Sequence, residues 1–278
     1  MIVFVGSVFS PYYRLGLRYD AVDPENHCAF NVVLFGEGGK RWTMTERGRG
    51  SLERSPEAIR IGPSRAFYEG DRLVLEVEER STPFFRKVKG RIEITPDRLY
   101  ETAYALDAGG RHRWRPVSPS CRIKVDFDAP GLSWTGRAYW DTNEGERPVD
   151  ADFQSWQWSR AILDDGPVVF YDVVDRGGCT WPLALRFDPS GAVEDLAPPP
   201  MRRAPLTGWR MERPYRSEAA PGPGTIATVE DTPFYARSLV RQRLFGREVT
   251  AVHESLSVGR FASPIVQAML PWRMPRRP

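Results

Sequence analysis

Between Cys121 and Asp128 apolar and charged residues alternate without a break: Cys-Arg-Ile-Lys-Val-Asp-Phe-Asp. Successive strand side chains point to opposite faces, so this stretch reads as a half-buried strand. Ala129-Pro130-Gly131 supplies a turn, and Leu132 to Trp140 a return strand. Similar extended segments are predicted at 27–35 and 41–46 about a turn at 36–39, then at 58–62. Hairpins follow about Gly70 (67–77) and about Gly109-Gly110 (104–116), with a further strand at 88–94. Beyond Pro148 the strands lengthen: 153–163, 168–174 and 180–187, then 235–244 and 248–258 about Gly246. Short strands separated by glycine-containing turns define an all-β chain.

One helix is predicted, at 263–270, where Ser-Pro supplies the starting signal. The apolar first ten residues have no charged region ahead of them and read as a strand, not a signal peptide. Proline-rich connections lie at 197–201 and 219–224. Composition shifts weakly at 144–151, so two packed β parts are expected, 1–147 and 148–278.

Charge and cysteine usage exclude several function classes. The 278 residues carry 39 Lys and Arg against 36 Asp and Glu, a net charge of +3. The arginines are scattered, which does not make the basic stripe of a nucleic-acid surface. No apolar run reaches the roughly 18 residues of a membrane span. Cys28, Cys121 and Cys179 are odd in number and widely spaced, so neither a disulfide framework nor a zinc site is indicated. A reducing, cytoplasmic setting fits them.

The hairpin also carries the most suggestive side chains. His112 and Trp114 are two residues apart, as are Tyr139 and Asp141. Each pair shares one face if its segment is extended. A carboxyl walled by an imidazole, an indole and a phenol suits chemistry that passes through a cation. The same residues also have a structural reading: a satisfied histidine, core aromatics, and an Asp141-Thr-Asn turn. His27, His112 and His253 have no metal-ligand spacing. Gly48 and Gly50 lie between strands, not ahead of a phosphate-binding helix. No GxSxG nucleophile motif is present. Asp141, Asp152, Glu230, Asp231 and Glu254 leave a glycosidase-like pair of carboxylates open. Glu254, beside His253, is the second acid–base candidate, or else a strand residue paired across a sheet. Trp156 and Trp158 share a strand face, and an interior lined by such rings can take a long apolar ligand.

Several longer motifs point further. They are Phe4-Val-Gly-Ser-Val-Phe-Ser-Pro-Tyr-Tyr13, Asp23-Pro-Glu-Asn-His-Cys28 and Trp42-Thr-Met-Thr-Glu-Arg-Gly-Arg-Gly50. With them go His112-Arg-Trp-Arg-Pro116, Glu230-Asp-Thr-Pro-Phe-Tyr-Ala-Arg237, Val252-His-Glu-Ser-Leu256 and Arg260-Phe-Ala-Ser-Pro264. Through these the chain resembles, essentially end to end, the carotenoid 1,2-hydratase (hydroxyneurosporene synthase) family of phototrophic bacteria. It starts almost directly at the first motif, without the longer N-terminal extension of some members.

The resemblance implies a lipocalin-like, two-part β-barrel or sandwich with little helix. It also implies addition of water, without a cofactor or metal, to the terminal C1=C2 bond of an acyclic carotene such as neurosporene or lycopene. The family's His-x-Trp and Tyr-x-Asp pairs fall on His112, Trp114, Tyr139 and Asp141, placing the catalytic residues in the 1–147 part. Asp141 is then the acid, Trp114 and Tyr139 stabilise a tertiary cation, and His112 either orients Asp141 or takes a proton from water. Trp156, Trp158, His253 and Glu254 are expected to line the substrate. So apolar a substrate implies peripheral attachment to the inner photosynthetic membrane, with 268–278 as the anchor or as a strap over the fold. The alternatives are a carrier for an apolar ligand, an isomerase or cyclase, and a glycosidase on the same scaffold.

Overall fold

In the computed structural model the alternation at 121–128 becomes a sided strand. Cys121, Val125 and Phe127 are buried while Arg122, Lys124, Asp126 and Asp128 are exposed. They belong to a long strand, His112–Ala129, whose hairpin partner is Leu132–Gly145. The structure describes residues 1–19, 22–36, 40–222 and 224–277. The predicted turn at 36–39 and the connection at 219–224 fall partly outside those residues.

The described residues form two compact units, and neither is contiguous in sequence. One comprises 1–97, 121–139 and 267–278, the other 98–120 and 140–266. Composition alone suggested one boundary near 147. The hairpin instead gives its turn half to the first unit and its open half to the second, so no linker marks the division.

In the first unit, strands Leu52–Arg54, Ala58–Ile61, Ser64–Glu69, Arg72–Arg80 and Lys87–Pro96 pair in sequence order, and the last pairs with 121–129. Val125 lies opposite Ile92 and Phe127 opposite Gly90. A Cβ at Gly90 would lie 2.4 Å from the Asp126 carbonyl oxygen and 2.6 Å from the Phe127 ring, so only glycine fits there. Phe30, Ile61, Val77, Val88 and Phe127 fill this unit's core.

A smaller sheet in the same unit holds Ile2–Val5, Cys28–Leu34, Arg41–Met44, Glu46–Arg47 and Arg276–Arg277. Its buried charges are partnered. Arg47 donates to both carboxylate oxygens of Glu79 at 2.9 Å, and Ser64 Oγ donates to Glu79 Oε1 at 2.9 Å. His27 Nδ1 lies 2.8 Å from Glu46 Oε1, and Arg276 reaches the same carboxylate. The 23–28, 42–50 and C-terminal motifs therefore lock one another together.

The opening strand ends at Val5, and the expectation of a strand to Ser10 needs correction. Ser10 Oγ accepts the Tyr13 N–H at 2.9 Å and caps a short helix, Pro11–Gly16. This is the Ser-Pro signal recognised only near the C-terminus. There the expected helix runs Pro264–Arg273.

The second unit is built on a seven-stranded antiparallel sheet. Its strand order is Val193–Asp195, Thr180–Phe187, Gly166–Asp175, Phe153–Leu163, Arg247–Ser257, Tyr235–Leu244 and Ile226–Asp231. One face packs a core that includes Ala161, Leu163, Phe170 and Leu244. The other carries the residues described next.

Replacing Glu79 by Leu strands the buried Arg47 guanidinium without its bidentate partner. The expected cost is about 3–5 kcal/mol, read as a lower urea midpoint. A midpoint within experimental error of wild type would remove this pair from the first unit's foundations.

Candidate active site

Strand register brings the predicted pair together. Trp114 is fully buried, and its indole N–H donates to Oδ2 of Asp141 at 2.8 Å. Its ring lies edge-on to Tyr171, centroids 5.6 Å apart, and tilted against Tyr104 at 5.8 Å. Tyr104 is the cross-strand neighbour of Trp114. Asp141 is half-buried, and the Asn143 amide also approaches its Oδ2 at 3.5 Å. The carboxyl is thus oriented by an indole and set beside aromatic faces. Tyr139 is half-buried two residues earlier on the Leu132–Gly145 strand, on the same strand face as Asp141.

His112 faces elsewhere. Its Nε2 lies 2.9 Å from Asp152 Oδ2, and its ring packs on Phe153 at 4.6 Å. Arg111 donates to the other Asp152 oxygen at 3.2 Å. The His112 backbone N–H donates to Asp107 Oδ2 at 2.8 Å, and Gly109 N–H to Oδ1 at 2.7 Å. Burial works against the Asp107 charge, but the N–H groups of His112, Gly109 and Arg111 hold its carboxyl below the usual carboxylate range. Gly145 backs the imidazole so closely that a Cβ there would lie 2.6 Å from Nδ1. His112 is therefore clamped at the root of the strand bearing Trp114, bonded to Asp152 and not to Asp141.

The sheet extends the site. Trp158 pairs with Tyr171 on one side and Glu254 on the other, and Glu254 pairs with Arg237. Directly opposed residues share a face, so these four side chains form one row. Trp156 sits on the same face, opposite Val173 and Leu256. Arg237 Nε donates to Glu254 Oε1 at 2.9 Å. Burial opposes the Arg237 charge, yet Glu254 carries its pKa above the ordinary value. Tyr171 is 5% exposed. Burial first, and then the charges of Asp141 and Glu254, push its phenol far above the usual range. Burial and Glu254 do the same to Tyr235. Both phenols stay protonated.

His253 does not share this face. It follows Val252 and precedes Glu254, so its side chain takes the opposite side of the sheet. There Nε2 donates to the Pro214 carbonyl at 2.9 Å and the ring meets Tyr215 edge-on at 6.4 Å. Burial pushes its pKa down to about 4. Trp156, Trp158 and Glu254, singled out in the sequence, share one sheet face, while Tyr104, Tyr171, Tyr235 and Arg237 were passed over. The Arg237–Glu254 pair had a signal: counting outward from the turn at Gly246 sets the two opposite each other. Tyr171 had none, because Gly166–Asp175 is buried almost throughout and shows no alternation. Among the described residues, no three His, Cys, Asp or Glu side chains gather as a metal site would require.

The fold and site define an all-β protein that presents an oriented carboxyl on an aromatic wall. Comparison with known proteins makes this more particular. The family model described as Carotenoid hydratase CrtC matches residues 1–278, and the chain belongs to that family. It is 50% identical over 277 residues to an acyclic carotenoid 1,2-hydratase of Thiocapsa roseopersicina, covering 99% of this chain and 68% of the relative. It is 48% identical to the acyclic carotenoid 1,2-hydratase of Rubrivivax gelatinosus, over 99% of this chain and 69% of that one. That of Cereibacter sphaeroides is 41% identical, with 100% and 98% covered. A family of hydratases makes the chain a hydro-lyase, and the sequence-based family expectation holds.

The depressed pKa of His253 has a testable consequence. The folded protein keeps the ring neutral, whereas the unfolded chain takes up a proton below its ordinary 6.5. Stability from this group is therefore complete above pH 6.5 and is lost as pH falls toward 4. Wild type should lose on the order of 2 kcal/mol more than His253→Gln between pH 7 and pH 5, read by urea unfolding. Parallel pH dependence in the two proteins would contradict this.

Proposed function

We propose that this protein adds water to the terminal C1=C2 bond of an acyclic carotene, giving a tertiary alcohol. Asp141 is the acid. The reading rests above all on the Trp114–Asp141 hydrogen bond, which aims a carboxyl along an aromatic wall. An unactivated trisubstituted alkene needs a well-placed proton donor. Transfer of the Asp141 proton to C2 leaves a tertiary cation at C1, and water then forms the C1–O bond. The rings of Trp114, Tyr139 and Tyr171 stabilise the cation by about 0.5–2 kcal/mol each. His112 acts at one remove: its bond to Asp152 fixes the strand that carries Trp114. Trp156 and Trp158 line the apolar substrate. Every step uses side chains and water, so the reaction needs neither metal nor cofactor.

Such a substrate is met at a bilayer. No helix among the described residues is long and apolar enough to cross a membrane. The Pro264–Arg273 helix turns Ile265, Met269 and Trp272 outward, at 76%, 44% and 86% exposure. Spaced by four and three residues, they make one apolar stripe. Val266, Leu270 and Met274 are buried beneath it. Exposed Phe84 and Phe85 lie in the loop whose Thr82 Oγ1 donates to the Arg273 carbonyl at 3.0 Å. Arg86 and Lys87 follow them in sequence. Aromatic side chains beside cations favour the headgroup interface of an anionic leaflet. The C-terminal segment is thus a strap on its inner face and the membrane contact on its outer one.

Two measurements test this reading. Asp141→Asn should fold normally and lose about 10²–10⁴-fold in kcat on detergent-solubilised lycopene, while chelator-treated wild type in nucleotide-free buffer keeps its full rate. Near-normal turnover by the Asn variant, or loss of activity with a removed metal, would overturn the mechanism. Replacing Ile265, Met269 and Trp272 by Ser should weaken co-sedimentation with anionic liposomes at least about tenfold and leave activity in detergent intact. Unchanged liposome binding would rule out this surface.

A further inference from the structure

Hydration needs a proton taken as well as a proton given, and the water attacking C1 must lose one. On the wall that includes Trp114 and Asp141 the second unit sets two more carboxyls, Glu254 and, beyond Arg237 at the far end, Glu230; Glu254 is the one nearer the acid. Glu254 lies in the row Tyr171, Trp158, Glu254, Arg237, set by the register of four antiparallel strands. Tyr171 closes the path back to the acid through its edge contact with Trp114, which holds Asp141. The Glu254 side chain is 24% accessible and that of Arg237 21%, so their ion pair is neither sealed in the core nor free in solvent.

We propose that Glu254, ion-paired to Arg237, is the base that deprotonates the attacking water while Asp141 protonates the alkene. This rests on the hydration reading above and divides its proton chemistry between two carboxyls. The alkene π pair takes the Asp141 proton and forms the C2–H bond, leaving the cation at C1. A water lone pair forms the C1–O bond, the water O–H bond breaks, and that proton goes to the Glu254 carboxylate. Asp141 ends as carboxylate and Glu254 as carboxylic acid. The proton returns to Asp141 through solvent, since both side chains keep accessible surface. No oxidant or reductant is involved. Burial first, and then the charges of both carboxylates, act on the Tyr171 phenol. Arg237 is a positioning residue: its guanidinium orients Glu254 without touching the reacting atoms. Inverting glycosidases likewise divide the work between two carboxyls, one an acid and the other a base that activates the water attacking an oxocarbenium-like centre.

The test uses the full chain with lycopene in detergent micelles made up in D2O. Wild type should form the hydroxylated product; failure to do so would defeat the hydration reading itself, and with it this proposal. In Glu254→Gln, hydration should fall about 100-fold, with KM within about twofold. The acidic limb of the pH–rate profile should disappear. Reversible protonation by Asp141 should persist, so unreacted lycopene recovered from this variant gains deuterium at C2, whereas Asp141→Asn gains none. Glu254→Asp keeps a carboxylate and should retain both the acidic limb and part of the hydration rate. If Glu254→Gln does not fold, the Asp variant decides alone, and loss of its acidic limb counts against the proposal. Near-wild-type turnover by Glu254→Gln overturns it. So does equal loss of hydration and deuterium exchange, which would place Glu254 in support of Asp141.

Discussion

The indole N–H of Trp114 and the carboxyl of Asp141, 2.8 Å apart, can meet only if two neighbouring strands keep their register. A slip of one residue would turn either side chain to the opposite face. The Trp114-bearing strand is held in place toward both ends. Near the hairpin turn, Phe127 lies over Gly90, where no side chain fits. At its open end, Asp107 collects the His112 and Gly109 N–H groups, and Asp152 holds the imidazole. The Trp114–Asp141 bond is thus a product of sheet geometry.

The second unit buries several charges, and each of these has a partner. Arg216 bonds Asp172, Arg160 donates to the Pro119 carbonyl at 2.7 Å, and Arg237 holds Glu254. An unpaired charge in such surroundings would cost several kcal/mol on the order expected for a stranded ion. Paired guanidiniums keep the carboxylates oriented, and the buried Tyr171 and Tyr235 phenols stay un-ionised.

Much of this architecture is legible in the sequence, because period-two alternation and glycine turns are local signals. Phe153–Leu163, Thr180–Phe187 and Tyr235–Leu244 begin and end where the turn signals put them. The His-x-Trp and Tyr-x-Asp spacing puts Trp114 and Asp141 within reach of each other, but not His112. What spacing leaves out is direction. His112 and Trp114 share a strand face, yet one bonds Asp152 and the other Asp141. Adjacent His253 and Glu254 were read as one site, although neighbours on a strand must face apart. The short helix at Pro11–Gly16 follows an apolar opening run, with Ser10-Pro11 as its cue. The division into two units left no trace, because a strand as long as His112–Ala129 serves both without a linker.

Acid-catalysed hydration makes a demand that isotopes read directly. Wild-type protein, freed of metals and nucleotides, can be given lycopene under argon in water enriched in both deuterium and oxygen-18. The mechanism requires a product with oxygen-18 in its tertiary hydroxyl at C1 and one new deuterium at C2. A hydroxyl that carries no oxygen-18, or a reaction that stops without an added cofactor or dioxygen, would contradict it.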